Sequence, residues 1–141
     1  MKIVFWSGTG NTQMMAEKLA EGVVAAGKTA ELLFVDNVSV EDLKDEKAFA
    51  LGCPSMGAEQ LEESVMEPFM DALEGEIAGK SIVLFGSYGW GNCEWMDDWV
   101  ERVQNAGATV VGGEGITVLG EPDDDTNEEL LDAGKALAEL E

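Results

Sequence analysis

Short apolar runs alternate with amphipathic stretches along the chain, and this alternation is the feature that most limits its fold. The runs are KIVFW at 2–6, AELLFV at 30–35, AFALGC at 48–53, SIVLFGS at 81–87 and ATVVGG at 108–113, with ITVLG soon after. Runs that are apolar at nearly every position predict strands buried on both faces, as in a parallel sheet covered by helices. Five strands joined by helical crossovers predict a doubly wound α/β fold.

The segments between these runs carry apolar residues at helical spacing, which predicts one buried stripe per helix. The stripes are Met15, Leu19 and Val23; Met66, Phe69, Met70 and Leu73; Met96, Trp99, Val100 and Val103; and Leu130, Ala133, Leu137 and Leu140. We expect the first helix to end at Gly27 and the last to open near Asp125 and Thr126. The charged segment 37–47 predicts only a weak helix.

The strongly acidic composition limits the partners of this chain. The 141 residues fit one domain, 1–141, and carry 29 acidic against 8 basic residues, for a formal charge of -21. This charge argues against nucleic acid and favours partners with basic docking patches. No secretory signal pattern opens the sequence and no apolar run approaches 18 residues, so we expect a cytoplasmic protein without a membrane span.

Ligands of doubly wound sheets lie at the carboxyl ends of the strands, which directs attention to the loops 7–13, 54–62 and 87–94. In the first loop, SGTGNT combines two glycines with side-chain donors from Ser7, Thr9, Asn11 and Thr12. Glycines allow successive backbone N–H groups to converge at a helix N-terminus, whose dipole favours an anion. The loop therefore predicts a phosphate site without a cationic side chain.

Three other nucleotide or phosphate folds fit these residues poorly. A dinucleotide fingerprint requires a third glycine where Gln13 stands, although Asp36 lies near the expected ribose position. A P-loop requires GK[ST], which the sequence lacks. A response-regulator receiver requires acidic residues after strand one and an aspartate after strand three, where the sequence has Trp6-Ser7 and Cys53-Pro54.

The loop GSYGWGNCEW at 86–95 places Trp90 between two glycines, which predicts an indole free to stack on a flat ligand. Trp95 and Trp99 are expected to pack in the core, whereas Trp6 is compatible with either role. In the loop after strand three, Met56 predicts an apolar cover for the same ligand. Glu62 and Glu63 predict a solvated helix start. Cys53 and Cys93 predict reduced thiols, with Cys53 buried.

Together, WSGTGNT, LGCPSMG, EPF and LFGSYGWG resemble the short-chain flavodoxins of anaerobic bacteria, in order and spacing, over essentially the whole chain. The resemblance implies a five-stranded parallel sheet of order 2-1-3-4-5 with helices on both faces, and one non-covalent FMN. It implies three groups of FMN-binding residues and no metal or catalytic residue. The groups are Ser7, Gly8, Thr9, Gly10, Asn11 and Thr12 at the phosphate, Ser55, Met56, Gly57, Ala58 and Glu59 on one side of the flavin, and Ser87, Tyr88, Gly89, Trp90, Gly91 and Asn92 on the other.

The resemblance implies a low-potential one-electron carrier that has no substrate of its own. It would cycle between semiquinone and hydroquinone and replace ferredoxin toward oxidoreductases or hydrogenase with basic docking surfaces. The alternative is a quinone or flavin reductase of the same fold that uses NAD(P)H. A small flavoprotein that activates manganese-dependent ribonucleotide reductase is a third interpretation.

The resemblance also implies a peptide flip at Gly57 that turns a carbonyl toward the protonated flavin nitrogen 5. The next residue, Ala58, would then need the positive φ that a type II turn requires, at a cost of about 1–2 kcal/mol for a non-glycine residue. Ala58→Gly is therefore predicted to stabilise the semiquinone in a redox titration.

Overall fold

A parallel sheet is the centre of the computed structural model, which describes residues 1–8, 10–56, 60–89 and 91–140. Within these ranges the strands are β1 Lys2–Phe5, β2 Glu31–Phe34, β3 Ala48–Gly52, β4 Ser81–Tyr88, β5 Thr109–Val110 and β6 Ile116–Leu119. They pair in the order β2-β1-β3-β4-β5, and β6 also pairs with β4. All these pairings are parallel, so the predicted 2-1-3-4-5 order is confirmed.

The fifth position of the sheet is shared by two short strands. β5 pairs with the start of β4, through Ser81 and Ile82, whereas β6 pairs with its end, from Phe85 to Tyr88. Between them, Gly112 and Gly113 have φ of 82° and 80°. This left-handed conformation is incompatible with a strand, so the predicted run ATVVGG ends early and the chain resumes pairing at Ile116.

Helices cover both faces of the sheet. The helices are α1 Asn11–Ala25, α2 Val40–Leu43, α3 Met66–Leu73, α4 Glu94–Asn105 and α5 Asp124–Glu139. Because neighbouring strand residues point to opposite faces, Ile3 and Phe5 of β1 pack with α1 and α5, whereas Val4 packs with α3 and α4. The core therefore consists of two layers, one on each side of the sheet.

The predicted helical stripes are buried where they meet the sheet. All three apolar residues of the α1 stripe and all four of the α3 stripe are buried, and so are Met96, Trp99 and Val103 of α4. The α5 stripe ends in an exposed Leu140. α5 opens slightly before the predicted position, because the Asp123 carboxylate accepts the Thr126 N–H at 2.8 Å and caps the helix.

Strand β2 departs from the expectation of burial on both faces. Leu32 and Phe34 are 42% and 43% exposed, because β2 is paired only with β1 among the described strands and forms an edge of the sheet. Among the described residues, no helix combines the length and apolar character that crossing a bilayer requires.

Candidate functional site

Three loops meet at the carboxyl ends of β1, β3 and β4, where the sequence predicts a ligand site. They enclose a cavity of about 270 Å³. Its lining is Trp6, Gly8, Asn11, Pro54, Ser55, Met56, Ser87, Tyr88, Gly89 and Gly120. A larger cavity of about 640 Å³ contains Arg102 but also the carboxylates of Glu74, Asp98 and Glu101, which disfavour an anion.

The first loop presents backbone donors at the start of α1. Gly10 has a φ of 100°, which allows the chain to turn sharply into the helix at Asn11. The Ser7 hydroxyl oxygen accepts the Gly10 N–H at 3.1 Å and, more weakly, the Gln13 N–H at 3.4 Å. Backbone N–H groups at the start of α1 therefore bind an oxygen atom, and the positive end of the helix dipole lies at the same place. Both features favour the binding of an anion.

Ser87 connects the three loops. Its hydroxyl lies 3.2 Å from the Thr12 hydroxyl, and both residues are buried. Its carbonyl accepts the Ser55 N–H at 3.0 Å. The end of β4 thus fixes the phosphate loop on one side and the loop after β3 on the other.

The loop after β3 is closed by a pair of backbone hydrogen bonds. The Met56 N–H donates to the Gln60 carbonyl at 2.8 Å, and the Gln60 N–H donates to the Met56 carbonyl at 2.9 Å. The Ser55 hydroxyl is buried and has no hydrogen-bond partner among the described residues. A buried hydroxyl without a partner is costly, so a ligand with polar groups would be stabilised beside it.

Glu62 corrects the expectation of a solvated helix start. Its side chain is buried, and the carboxylate accepts the N–H groups of Ser64, Val65 and Met66 at 2.7, 2.8 and 3.0 Å. Burial by itself would raise the pKa of the Glu62 carboxyl, but these backbone hydrogen bonds together lower it. Glu63, by contrast, is exposed as expected.

The loop after β4 is stabilised by aromatic packing. The rings of Tyr88 and Trp95 lie 5.8 Å apart in a tilted arrangement, and the Tyr88 carbonyl accepts the Gly120 N–H at 2.9 Å. A hydrogen bond with the Cys93 thiol, more than burial, raises the pKa of the Tyr88 hydroxyl. Trp95 and Trp99 are each 1% exposed, so their predicted packing role is confirmed.

The structure brings together only part of the predicted site. The described lining includes Gly8, Asn11, Ser55, Met56, Ser87, Tyr88 and Gly89. Ser7, Gly10 and Thr12 form the adjoining turn, whereas Gly91 and Asn92 are exposed and do not line the cavity. Thr9, Gly57, Ala58, Glu59 and Trp90 lie outside the described residues, so their contacts and the effect of Ala58 stay predictions.

The sequence does not single out two of the lining residues, Pro54 and Gly120, and it is compatible with two roles for Trp6. Gly120 was missed because it follows β6, a strand position that the apolar pattern did not separate from β5. Trp6 is half-buried at the end of β1 and packs against the core. It also lines the cavity, so its contact with a ligand stays a prediction.

Comparison with known proteins places this geometry in a family. A family model described as flavodoxin matches residues 3–135. The chain is 44% identical over 140 residues to a flavodoxin of Clostridium beijerinckii, covering 99% of this chain and 100% of the relative. It is 48% identical over 112 residues to a flavodoxin of Megasphaera elsdenii, covering 79% of this chain and 82% of the relative.

The chain belongs to the flavodoxin family. The solution structure of two-electron reduced Megasphaera elsdenii flavodoxin superposes with a TM-score of 0.88 at 43% identity and covers 98% of each chain. Flavodoxins bind FMN and are electron-transfer proteins rather than enzymes. The predicted family is confirmed, and its electron-carrier function is supported over the reductase alternative.

The described residues fit the FMN of this family. A dipolar helix N-terminus with neutral donors suits the phosphate, the unpartnered Ser55 hydroxyl suits a polar chain or ring edge, and Met56 and Trp6 offer apolar surface for the rings. The donors described at this turn, Ser7, Gly10 and Thr12, are all uncharged.

Proposed function

We propose that residues 1–141 form one FMN-binding domain that transfers single electrons at low potential between redox enzymes. The observation that carries the proposal is the junction of the three loops at Ser87. Around one cavity it brings together neutral hydroxyl and N–H donors, apolar surface, and the buried Ser55 hydroxyl, which has no hydrogen-bond partner among the described residues. Bound FMN supplies the electron chemistry, and the chain supplies the binding site and its electrostatics.

Ser7, Gly10 and Thr12 would orient the phosphate end. Their hydroxyl and N–H groups lie at the N-terminus of α1, where the helix dipole contributes roughly half a positive elementary charge. Thr12 is buried and its hydroxyl lies 3.2 Å from the Ser87 hydroxyl, so its oxygen is held in place before a ligand arrives. A fixed donor loses less conformational entropy on binding than a mobile one.

Met56 and Tyr88 would exclude water from the flat part of the ligand. Met56 extends from the loop closed by the Gln60 backbone, and Tyr88 is fixed against Trp95. We further propose that Trp90 stacks on the flavin, as its position between two glycines predicts, and that Gly57, Ala58 and Glu59 line the other side, as the family resemblance implies. By excluding water, these apolar side chains would disfavour added negative charge at the site and so would lower the reduction potential of a group bound there.

The acidic surface would select the partners. With a formal charge of -21, the chain attracts proteins with basic docking surfaces, and each fixed charge at about 10 Å disfavours one further negative charge by roughly 0.4 kcal/mol in water. We therefore propose ferredoxin-type oxidoreductases or hydrogenase as partners. The cytoplasmic location stays a prediction from the sequence.

Titration of the ligand-free protein with FMN and riboflavin tests this proposal. We expect one FMN to bind per chain, with quenched flavin fluorescence. Riboflavin should bind with an affinity lower by on the order of a hundredfold, because it lacks the phosphate that accepts several hydrogen bonds. Thr12→Val should lower the affinity for FMN about five- to tenfold and change the affinity for riboflavin much less.

Thr126→Val is the matched control, because Thr126 is also a buried threonine in the first turn of a helix but lies in α5, outside the cavity lining. Unquenched FMN fluorescence would contradict the proposal. Reduction of the loaded protein by NAD(P)H alone would instead favour the reductase.

A further inference from the structure

Both ends of the loop 54–61, here called the Met56 loop, are attached to one buried residue. Cys53 precedes the loop, and its carbonyl accepts the Trp95 indole N–H at 3.1 Å. The Cys53 sulfur also accepts the N–H of Glu62, the first residue after the loop, at 3.4 Å. Cys53 therefore connects the start of the loop with its end.

The outer partners of Cys53 anchor this junction to two helices. Trp95 belongs to α4 and is 1% exposed, so its indole cannot move without disturbing the core. The Glu62 carboxylate binds three N–H groups at the start of α3. The base of the loop is thus attached to α3 and α4 independently of any ligand.

At neutral pH, the Cys53 thiol can form hydrogen bonds with both Pro54 and Glu62. Burial raises the pKa of Cys53 to about 12, so the group stays protonated. The S–H can donate to the Pro54 carbonyl at 3.4 Å while the sulfur accepts the Glu62 N–H. Sulfur contacts of this kind are weak singly, but here they fix neighbouring backbone groups of a closed loop.

The cavity depends on this loop for three of its lining residues, Pro54, Ser55 and Met56. Inside the loop, the backbone groups of Met56 and Gln60 form two hydrogen bonds with each other. A loop whose ends are fixed loses less entropy when a ligand orders it than a loop with free ends.

We propose that Cys53, Trp95 and Glu62, which lie outside the cavity lining, are positioning residues that hold the Met56 loop in its binding path before the cofactor arrives. The binding part of this inference rests on the proposed FMN function, whereas the loop-ordering part concerns the ligand-free chain alone. The proposal assigns to these residues an effect on cofactor affinity in addition to their effect on stability.

Two tryptophan variants test the loop-ordering part. Trp95→Phe removes the indole N–H that binds the Cys53 carbonyl, whereas Trp99→Phe removes an equally buried indole N–H that has no hydrogen-bond partner among the described residues. In the ligand-free protein, we expect the amides of Ser55, Met56 and Gln60 to exchange about five- to tenfold faster in Trp95→Phe, as loss of one ordinary hydrogen bond predicts. Exchange in Trp99→Phe should match the wild type after correction for global unfolding.

Two cysteine variants test the binding part. Cys53→Ala removes the acceptor for the Glu62 N–H, whereas Cys53→Ser restores a hydrogen-bonding atom at the same carbon. The dissociation constant for FMN should increase about five- to tenfold in Cys53→Ala. The constant of Cys53→Ser should lie between those of Cys53→Ala and the wild type.

Equal local exchange in the two tryptophan variants would overturn the proposal, and so would faster loop exchange with unchanged FMN affinity in Trp95→Phe and Cys53→Ala. If the wild type fails to bind FMN, the proposed function fails, while the exchange rates of the ligand-free protein still decide whether these residues order the loop.

Discussion

Cys93 adopts a backbone conformation that suits glycine. Its φ is 67°, and it is the only non-glycine residue with positive φ in the described part of the chain. We expect Cys93→Gly to be more stable than Cys93→Ala by about 1 kcal/mol, because both variants lose the thiol but only glycine relieves the left-handed strain. Urea unfolding of the two variants measures the difference. Equal stability would show that position 93 carries no such strain.

The Glu62 carboxylate should make stability depend on pH in the acid range. Because hydrogen bonds lower its pKa in the folded state, its contribution is fully present above the unfolded pKa of about 4.3 and is lost as pH falls through the folded value. Glu62→Gln should reduce the free energy of unfolding at pH 7 by about 1–2 kcal/mol. Its stability should also change less than that of the wild type below about pH 5.

Glu63→Gln provides the control for this measurement, since Glu63 is the exposed neighbour of Glu62. Its stability and acid dependence should stay close to those of the wild type. A comparable loss in both variants would mean that general charge, and not the hydrogen bonds at the start of α3, determines the effect.

At the scale of elements, helices α1 and α5 approach each other through two glycines. A Cβ added at Gly134 would overlap the Leu19 carbonyl, and one added at Gly22 would overlap the Leu131 carbonyl. Backbone atoms cannot move aside as a flexible side chain can, so the helices would have to separate. Gly134→Ala should therefore cost about 1–3 kcal/mol in thermal or urea unfolding, despite the better helix propensity of alanine.

Gly75→Ala is the matched control, because a Cβ at Gly75 meets no atom within 4 Å and its φ is not positive. This variant should be neutral or slightly stabilising, since alanine restricts the unfolded chain. If Gly134→Ala were equally neutral, the close approach of α1 and α5 would not be needed for stability.

The helices were predictable because their buried residues recur at helical spacing, and the inner strands because they are apolar along a continuous run. The stripe Met66, Phe69, Met70 and Leu73 and the run at Ala48–Gly52 needed no tertiary information. The edge position of β2 was not predictable from its own letters, because the run around Leu32 and Phe34 is as apolar as an inner strand. The break between β5 and β6 depends on the positive φ angles of Gly112 and Gly113. These angles cannot be predicted from the apolar run that contains the two glycines.

At the scale of the molecule, the charge of -21 should oppose folding by self-repulsion. We expect the melting temperature of the ligand-free protein to rise between about 10 and 200 mM KCl, because the Debye length falls from about 30 Å to below 10 Å. The rise should level off near the upper end and be the same with NaCl. A flat or falling melting temperature would show that repulsion does not limit stability.

The position of the candidate site was predictable, but the contacts that hold its loops together were not. Doubly wound topology brings the loops after β1, β3 and β4 together, so the cavity could be expected there. Within the second loop, Met56 could be chosen for its apolar side chain, whereas Ser55 was implied only by the family resemblance. Glu62 was misjudged because a glutamate at a helix start is usually solvated. Only the folded structure shows that its side chain is buried and that its carboxylate accepts three backbone N–H groups. The linking role of Ser87 depends on Thr12, 75 residues away in the sequence.

The exposed edge strand β2 has a consequence for handling the protein. Leu32 and Phe34 present apolar side chains beside an edge that no described strand covers, which is the arrangement that favours intermolecular sheet growth. At neutral pH, mutual repulsion of the acidic surfaces keeps two such edges apart. As the pH falls toward the sequence pI of about 4.1, acid neutralises the carboxylates and this repulsion is lost. We expect the same strand to act there as a template for aggregation, so purification and storage should avoid buffers near pH 4.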